Sequence, residues 1–228
     1  MNILAIDTST EACSAALLRD DGSIFSEFEV APRQHTRLLP KMMDAVLKAA
    51  GCARTSISHC AFANGPGAFT GVRIAASTAQ GIGIALKIPL VPVSTLATLA
   101  QVSFDRQSGE STMVTLDARM GEVYWALYLR SDEGLAVLSG EEHLSKIEAV
   151  NPVVVPDVGA GHGWTVGQES WQSWVDTNTI DVDATLLPDS KSLLKLAADA
   201  IKQGQICSTE NISINYLRNQ VAEKSKKV

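Results

Sequence analysis

The chain has 228 residues, of which 46% are hydrophobic and only 19% are charged, against about 25% in an average globular protein. This composition excludes an intrinsically disordered chain, and the length fits one large domain or two small ones. The formal net charge of −6 argues against a general polyanion binder with a basic face of its own. The deficit of charge also indicates that a partner covers part of the apolar surface.

The chain ends and the cysteines bear on the compartment. No run of 18 apolar residues occurs, so no membrane span is predicted. Residues 1–7 enter a strand without a basic leader, which predicts a cytoplasmic protein without a signal peptide. The four cysteines form no CxxC pair, and in a reducing cytosol they are interpreted as small core hydrophobes.

The first hundred residues alternate strand and helix signals. Short apolar runs predict strands at 3–6, 13–18, 24–30, 57–63 and 90–93. Apolar periodicity predicts helices over 36–50, 70–86 and 95–102. Gly51 is a suitable stop for the first helix, and Ser94 is a suitable cap for the third.

The second half repeats the start of the chain. The polar stretch 105–111 is interpreted as a linker, which divides the chain into lobes 1–104 and 105–228. After it we predict a strand at 113–116, a turn at Asp117 and a second strand at 123–129. The first lobe begins in the same way, with a strand on each side of the turn at Asp7. This pattern indicates internal duplication of an α/β unit. Later segments predict a strand at 153–155, a glycine-rich turn at 159–163, a helix at 190–201 and a flexible charged tail at 223–227.

Two loops have alternative interpretations. The turn that starts at Asp7, with three hydroxyl residues after it, could hold Mg²⁺ or a phosphate, but the local sequence favours a tight turn capped by its own side chains. The Gly65-Pro66-Gly67 turn and the helix start after it could receive an anion, with Thr70 as the helix cap. The alternative is that these glycines only permit the turn. The loop is not a P-loop, because no Gly-Lys-Ser/Thr follows.

The residue patterns of independent metal catalysis and of serine or cysteine nucleophiles are missing from the sequence, so no catalytic residue, metal site or cofactor is assigned. The four histidines are far apart and form no HExxH motif, and no GxSxG elbow occurs. His35 is interpreted as a surface or cap residue. His59 is interpreted as a half-buried side chain of a strand.

The first two helices are unusual. In the first, apolar residues form two columns, at 38/42/46 and 39/43/47, which make a wide stripe whose default interpretation is core packing. The second is rich in Gly, Ala and Ser and has no charge between Arg73 and Lys87. Such a helix lets another helix approach closely, so it is either fully buried or shared with a partner.

Four stretches together resemble the bacterial TsaB family, formerly called YeaZ. They are Ile3–Thr10, Gly65–Arg73, Asp117–Tyr124 and Tyr216–Asn219. The resemblance implies an α/β protein with the actin-like ATPase (ASKHA) fold, in which two similar lobes each hold a mixed sheet flanked by helices. It also implies a role in forming N6-threonylcarbamoyladenosine in tRNA, as a scaffold and activating subunit without catalysis of its own.

The resemblance further implies partners and sites. The chain would form a heterodimer with the transferase TsaD, help recruit the ATPase TsaE, meet tRNA only through the complex, and self-associate when alone. The implied partner-binding residues are Leu38, Leu39, Met42, Met43, Val46, Arg73, Ala76 and Gln80. Degenerate nucleotide loops would correspond to Asp7, Thr8, Ser9, Gly65, Gly67 and Thr70. TsaD carries a metal-binding HxxxH pair, whereas this chain has His35 followed by Leu39 in the second position.

An alternative is a free-standing ATP-binding enzyme of the sugar-kinase class or a glycopeptidase-like hydrolase. Its support is the Asp7 turn together with the glycine turns at 65–67 and 159–163. Calorimetry of the isolated protein with ATP and Mg²⁺ separates the two hypotheses.

Overall fold

The computed structural model describes residues 1–218, apart from the side chains of Gln168 and Ser170; Asn219 and the predicted tail at 223–227 lie outside this part. The first sheet contains β1 (Ile3–Asp7), β2 (Ala12–Leu18), β3 (Ile24–Val30), β4 (His59–Ala63) and β5 (Leu90–Val93). The second contains β6 (Ser111–Arg119), β7 (Glu122–Arg130), β8 (Ala136–Lys146), β9 (Val158–Ala160) and β10 (Asp181–Asp183). The helices are α1 (His35–Ala49), α2 (Phe69–Leu86), α3 (Thr95–Arg106), α4 (Gln168–Asn178) and α5 (Ser190–Lys202).

The two sheets have the same topology. The strand orders are β3-β2-β1-β4-β5 and β8-β7-β6-β9-β10. In each sheet the first strand pairs antiparallel with the second strand and parallel with the strand on its other side. The predicted duplication is confirmed, and two such mixed sheets flanked by helices form the predicted actin-like ATPase fold.

The two turn aspartates play the same local part. The backbone N–H of Ser9 donates to Asp7 Oδ1 at 2.7 Å, and that of Arg119 donates to Asp117 Oδ1 at 2.6 Å. Each aspartate therefore accepts from the backbone N–H of the second residue after it, which closes a tight turn. The second turn continues through Arg119 and Met120, whose φ angles are 67° and 59°.

The helices distribute over both sheets. Helices α1 and α2 cover one face of the first sheet and α5 covers the opposite face, in keeping with the alternation of side chains along its strands. Helix α3 packs against the second sheet through Leu96, Leu99 and Phe104. Since α3 belongs to the first half of the chain and α5 to the second, each half contributes one helix to the other half's sheet. The division between residues 104 and 105 stays a prediction.

Several predicted elements and boundaries differ from the structure. The linker 105–111 is shorter, because Asp105 belongs to α3, where its Oδ1 accepts from Lys195 Nζ at 2.6 Å, and Ser111 starts β6. The strand at 153–155 does not form: Val153 is 94% exposed and pairs with no described strand. The predicted α3 end at residue 102 is too early, whereas its Ser94 cap is confirmed by acceptance from two backbone N–H groups. Strands β8, β9 and β10 and helix α4 were not predicted, and β9 takes up Gly159 and Ala160 from the predicted glycine-rich turn.

The cysteines agree in part with their interpretation as core residues. Cys13 and Cys60 are buried, and burial raises the pKa of Cys13 to about 11 and that of Cys60 to about 12. These thiols are therefore protonated and unreactive near neutral pH. Cys52 and Cys207 are only half-buried. Within residues 1–218, no helix is both long and apolar enough to cross a membrane.

Candidate partner-binding face and strand-tip loops

Asp7 is buried at the tip of β1. Its Oδ1 accepts from the Ser9 hydroxyl at 2.6 Å as well as from the Ser9 N–H, whereas its Oδ2 is buried with no hydrogen-bond partner within residues 1–218. Burial raises the pKa of Asp7 to about 6, against the opposing effect of the Ser9 hydrogen bonds, and Asp189 adds to the increase. The local geometry is that of the capped tight turn.

The second loop packs directly on the first. The Thr8 hydroxyl donates to the Gly71 carbonyl at 2.7 Å, and the Ala68 N–H donates to the Ser9 carbonyl at 2.7 Å. A Cβ added to Gly67 would lie 2.4 Å from the Ser9 carbonyl oxygen, and one added to Gly71 would lie 2.0 Å from that of Thr8. The predicted nucleotide-loop residues thus come together, but backbone occupies the space between them.

The remaining loop residues have separate roles. Gly65 has a φ of 102°, and an added Cβ would lie 2.9 Å from the Asn215 carbonyl oxygen. Thr70 is exposed inside the first turn of α2, and the N-cap position is taken by Ala68. The prediction that Thr70 caps the helix is therefore wrong.

His35 and His59 are each held by one polar contact. His35 is buried, with its Nε2 3.2 Å from the Ala12 carbonyl oxygen, so it ties the start of α1 to β2. The predicted surface or cap role is therefore wrong, since the N-cap position is taken by Gln34. His59 is half-buried, as predicted; its Nδ1 lies 3.0 Å from the Ser58 hydroxyl, and burial lowers its pKa. In the part of the chain described here, no three His, Cys, Asp or Glu side chains are grouped to hold a metal ion.

Most predicted partner-binding residues of α1 lie inside the chain's own core. Leu39 and Val46 are each 1% exposed, and Leu38 and Met42 are also buried against the first sheet. Ala76 of α2 is buried in the same cluster. These five side chains therefore cover the chain's own sheet, and their direct contact with a partner stays a prediction.

The other three predicted residues are half-buried. Met43 packs at the border of the core. The guanidinium carbon of Arg73 lies 3.3 Å from the centre of the Phe69 ring, and its Nη1 donates to the Phe69 carbonyl at 3.0 Å. Gln80 donates from Nε2 to the Thr209 carbonyl at 2.8 Å. Arg73 and Gln80 thus already have partners within this chain.

The accessible part of α2 is a stripe of small and apolar residues on the helix that the sequence predicted to be buried or shared, although none of them was among the predicted partner-binding residues. We call it the α2 face, made up of Ser77, Gly81, Ile84 and Ala85, all of which are exposed. Ile84 is 62% exposed, and a Cβ added to Gly81 would meet no described atom within 4 Å. The i, i+4, i+7 spacing places these residues on one side of the helix. The absence of charge beyond Arg73 was the available signal.

A C-terminal segment, residues 206–218, joins the two lobes. Cys207 exchanges backbone hydrogen bonds with Leu90 of β5, at 2.8 and 2.9 Å. Farther on, the Asn215 N–H donates to the Asn64 carbonyl at 2.8 Å. At the end of the segment, Arg218 Nη2 donates to Glu122 Oε2 of the second lobe at 2.5 Å.

Glu142 is the acceptor at the centre of this junction. Its carboxylate accepts from the Tyr128 hydroxyl at 2.8 Å, from Asn215 Nδ2 at 2.7 Å and from the Ser94 hydroxyl. Burial, followed by the charge of Glu142, raises the pKa of Tyr128 well above its usual value. The register of β8 shifts against β7 here, and Gly140 has a φ of 90°, so a bulge turns this carboxylate inward.

Comparison with known proteins identifies the family to which the chain belongs. The family model described as "TsaD: tRNA N6-adenosine threonylcarbamoyltransferase" matches residues 28–225. The tRNA threonylcarbamoyladenosine biosynthesis protein TsaB of Escherichia coli (strain K12) is 37% identical, covering 98% of this chain and 97% of its own length. That of Haemophilus influenzae is 34% identical, over 98% and 96%. The solved structure of YeaZ from Pseudomonas aeruginosa is 39% identical, with a TM-score of 0.85 over 95% of this chain and 99% of its own. The chain therefore belongs to the TsaB family of tRNA threonylcarbamoyladenosine biosynthesis proteins.

Proposed function

We propose that this chain is a non-catalytic subunit in the formation of N6-threonylcarbamoyladenosine in tRNA and that it acts by pairing with TsaD. The observation that carries the proposal is the α2 face, an uncharged and exposed side of a helix whose other side is anchored in the core. A stripe of Ser77, Gly81 and Ala85 allows a partner helix to approach closely. Ile84 supplies an apolar anchor for the centre of such an interface.

The neighbouring helix supports the same surface. On its outer side α1 exposes Lys41, Asp44 and Lys48, which would form the polar rim around an apolar centre. The proposal therefore shifts the contact from the buried stripe of α1 to the α2 face and the outer edge of α1. In this arrangement Leu39 and Val46 support the interface from beneath by fixing α1 on the sheet.

The local geometry favours a non-catalytic role over an enzyme of the sugar-kinase class or a hydrolase. The glycine loop that could cradle a phosphate is packed on Ser9 and Thr8, so its close approach serves the chain's own backbone. His35 is engaged with the Ala12 carbonyl, and the second position of the HxxxH pattern is the core residue Leu39. The residues that would carry catalysis in an enzyme therefore make structural contacts within this chain.

The other proposed partners are TsaE and tRNA. Recruitment of TsaE follows from the family resemblance and has no assigned surface on this chain. Contact with tRNA is proposed to be indirect, because the formal net charge of −6 gives weak attraction to phosphates.

Binding to purified TsaD tests the proposal. We expect Gly81→Gln and Ile84→Arg each to weaken the affinity at least about tenfold, which corresponds to about 1.4 kcal/mol. The matched control is Val137→Arg, which places the same charge on an apolar residue that is 51% exposed in β8, far along the chain from α2. If both α2 variants bind TsaD with wild-type affinity, the proposed interface is refuted. Calorimetry with ATP and Mg²⁺ tests the alternative, since tight binding with turnover by the isolated chain supports an enzyme.

A further inference from the structure

Strand β3 is the edge of the first sheet and is exposed along its length. It pairs with β2 on one side, and no described strand pairs with its other side. Phe28 is 47% exposed and Val30 is 54% exposed, although both are large apolar residues. An exposed edge with apolar side chains is a template for a further strand.

The backbone hydrogen bonds show which groups of β3 are free. Ala31 donates its N–H to the Glu11 carbonyl at 3.0 Å, and the Ser23 carbonyl accepts from the Arg19 N–H at 2.9 Å. Odd-numbered residues of this strand therefore direct their backbone groups towards β2. In an antiparallel ladder the alternate residues direct theirs the other way. The outward groups belong to Ile24, Ser26, Phe28 and Val30.

The two faces of β3 differ in chemistry. Ile24, Phe28 and Val30 lie on the face that α5 covers farther into the sheet, because they pair with Leu18, Ser14 and Ala12. Glu27 and Glu29 lie on the opposite face, and both are exposed. An added strand would therefore meet apolar side chains on one face and two carboxylates on the other.

We propose that the β3 edge docks an extended segment of another protein in which apolar and basic residues alternate. Its backbone would continue the sheet as a sixth strand, its apolar side chains would cover Phe28 and Val30, and its Lys or Arg side chains would lie opposite Glu27 and Glu29. A second copy of this chain fits less well. Antiparallel pairing of two β3 strands through their outward residues puts the glutamates of both copies on one face, where like charges repel.

Peptide binding to the full chain tests the proposal. The probe is a labelled, end-blocked peptide of the length of β3 that alternates valine and lysine, and its counterpart alternates valine and glutamate. We expect the basic peptide to bind at least about tenfold more tightly than the acidic one. Ser26→Pro removes an outward N–H without touching the β2 ladder and should lose at least about tenfold in affinity, whereas the matched variant Ser26→Val keeps that N–H and should bind like the wild type.

Charge reversal separates docking on β3 from attraction to the acidic protein as a whole. The double variant Glu27→Lys with Glu29→Lys alters two exposed positions, so it remains informative if Ser26→Pro fails to fold. We expect it to exchange the preference between the two peptides. Equal affinity of Ser26→Pro and Ser26→Val, an unchanged preference after charge reversal, or self-association of the wild type through β3 would each overturn the proposal.

Discussion

Gly71 and Gly81 both lie in α2, but replacing each of them by alanine should change the stability of the protein in opposite directions. Gly71 faces the Thr8 carbonyl oxygen, and an alanine Cβ there would lie only 2.0 Å away. Gly81 lies on the α2 face, and an added Cβ would meet no described atom within 4 Å. Gly71→Ala and Gly81→Ala therefore change one methyl group each, on one helix, in different surroundings.

The magnitudes follow from two effects. Replacing glycine by alanine inside a helix stabilises it by about 1 kcal/mol at either site. At Gly71 the new Cβ also collides with a backbone oxygen that cannot rotate away, and overpacking typically costs about 1–3 kcal/mol or more. We expect Gly81→Ala to gain about 1 kcal/mol of unfolding free energy. At Gly71 the approach to 2.0 Å places the cost at about 3 kcal/mol, so Gly71→Ala should lose about 2 kcal/mol net.

Urea and thermal unfolding measure both variants. At this chain length about 1 kcal/mol moves Tm by roughly 2–4 °C, so the two variants should lie on opposite sides of the wild type. An unchanged m value would show that only stability has changed. A Gly71→Ala protein as stable as the wild type would refute the close packing of the two loops, and a destabilised Gly81→Ala protein would refute the open face.

Three further predictions concern buried groups. The pKa of Asp7 is raised to about 6, so the folded state binds a proton more tightly than the unfolded state, and this contribution, about 3 kcal/mol, is present at low pH and is lost as pH rises from about 4 to 7. Asp7→Asn should remove that pH dependence in unfolding measurements; an unchanged slope would contradict the burial of the carboxylate. Glu142→Ala leaves the buried Tyr128 hydroxyl without its acceptor and should cost about 1–3 kcal/mol in urea unfolding, whereas the exposed neighbour control Glu141→Ala should stay within about 0.5 kcal/mol. Leu39→Arg should abolish soluble folded protein, since the side chain is 1% exposed in the core; a folded variant that only fails to bind TsaD would restore the earlier interpretation.

The sequence was informative where local pattern and tertiary structure agree. The hairpin turns at Asp7 and Asp117 follow from polar residues between short apolar strands, and their repetition predicted the two matching sheets. The periodicity of α1 predicted the helix to within one residue at each end. It also predicted which side is apolar.

The same pattern could not say what covers the apolar side. The pattern favoured core packing for Leu39 and Val46, and only the family resemblance implied partner contact; in the structure both side chains cover the first sheet. On α2 the small residues on both sides hid the difference between the buried Ala79 and the exposed Gly81. Hydrophobicity alone does not distinguish a core from an interface.

Two other failures have different causes, one local and one long-range. The valines at 153–155 have the composition of a strand, but Pro152 and Pro156 flank them and no described strand pairs with them. The role of Glu142 depends on a bulge and on a partner 73 positions away along the chain, Asn215. Neither the bulge nor the hydrogen bond to Asn215 leaves a local signal in the sequence.

Reconstituted threonylcarbamoyl transfer to tRNA is the most direct test of the central claim. Purified TsaD should be assayed alone, with this chain, and with its Ile84→Arg variant, and the chain should also be assayed without TsaD. The account predicts no transfer by the chain alone, stimulation of TsaD by the wild-type chain, and loss of that stimulation together with binding in Ile84→Arg. Transfer by the isolated chain, or full stimulation by Ile84→Arg, would contradict it.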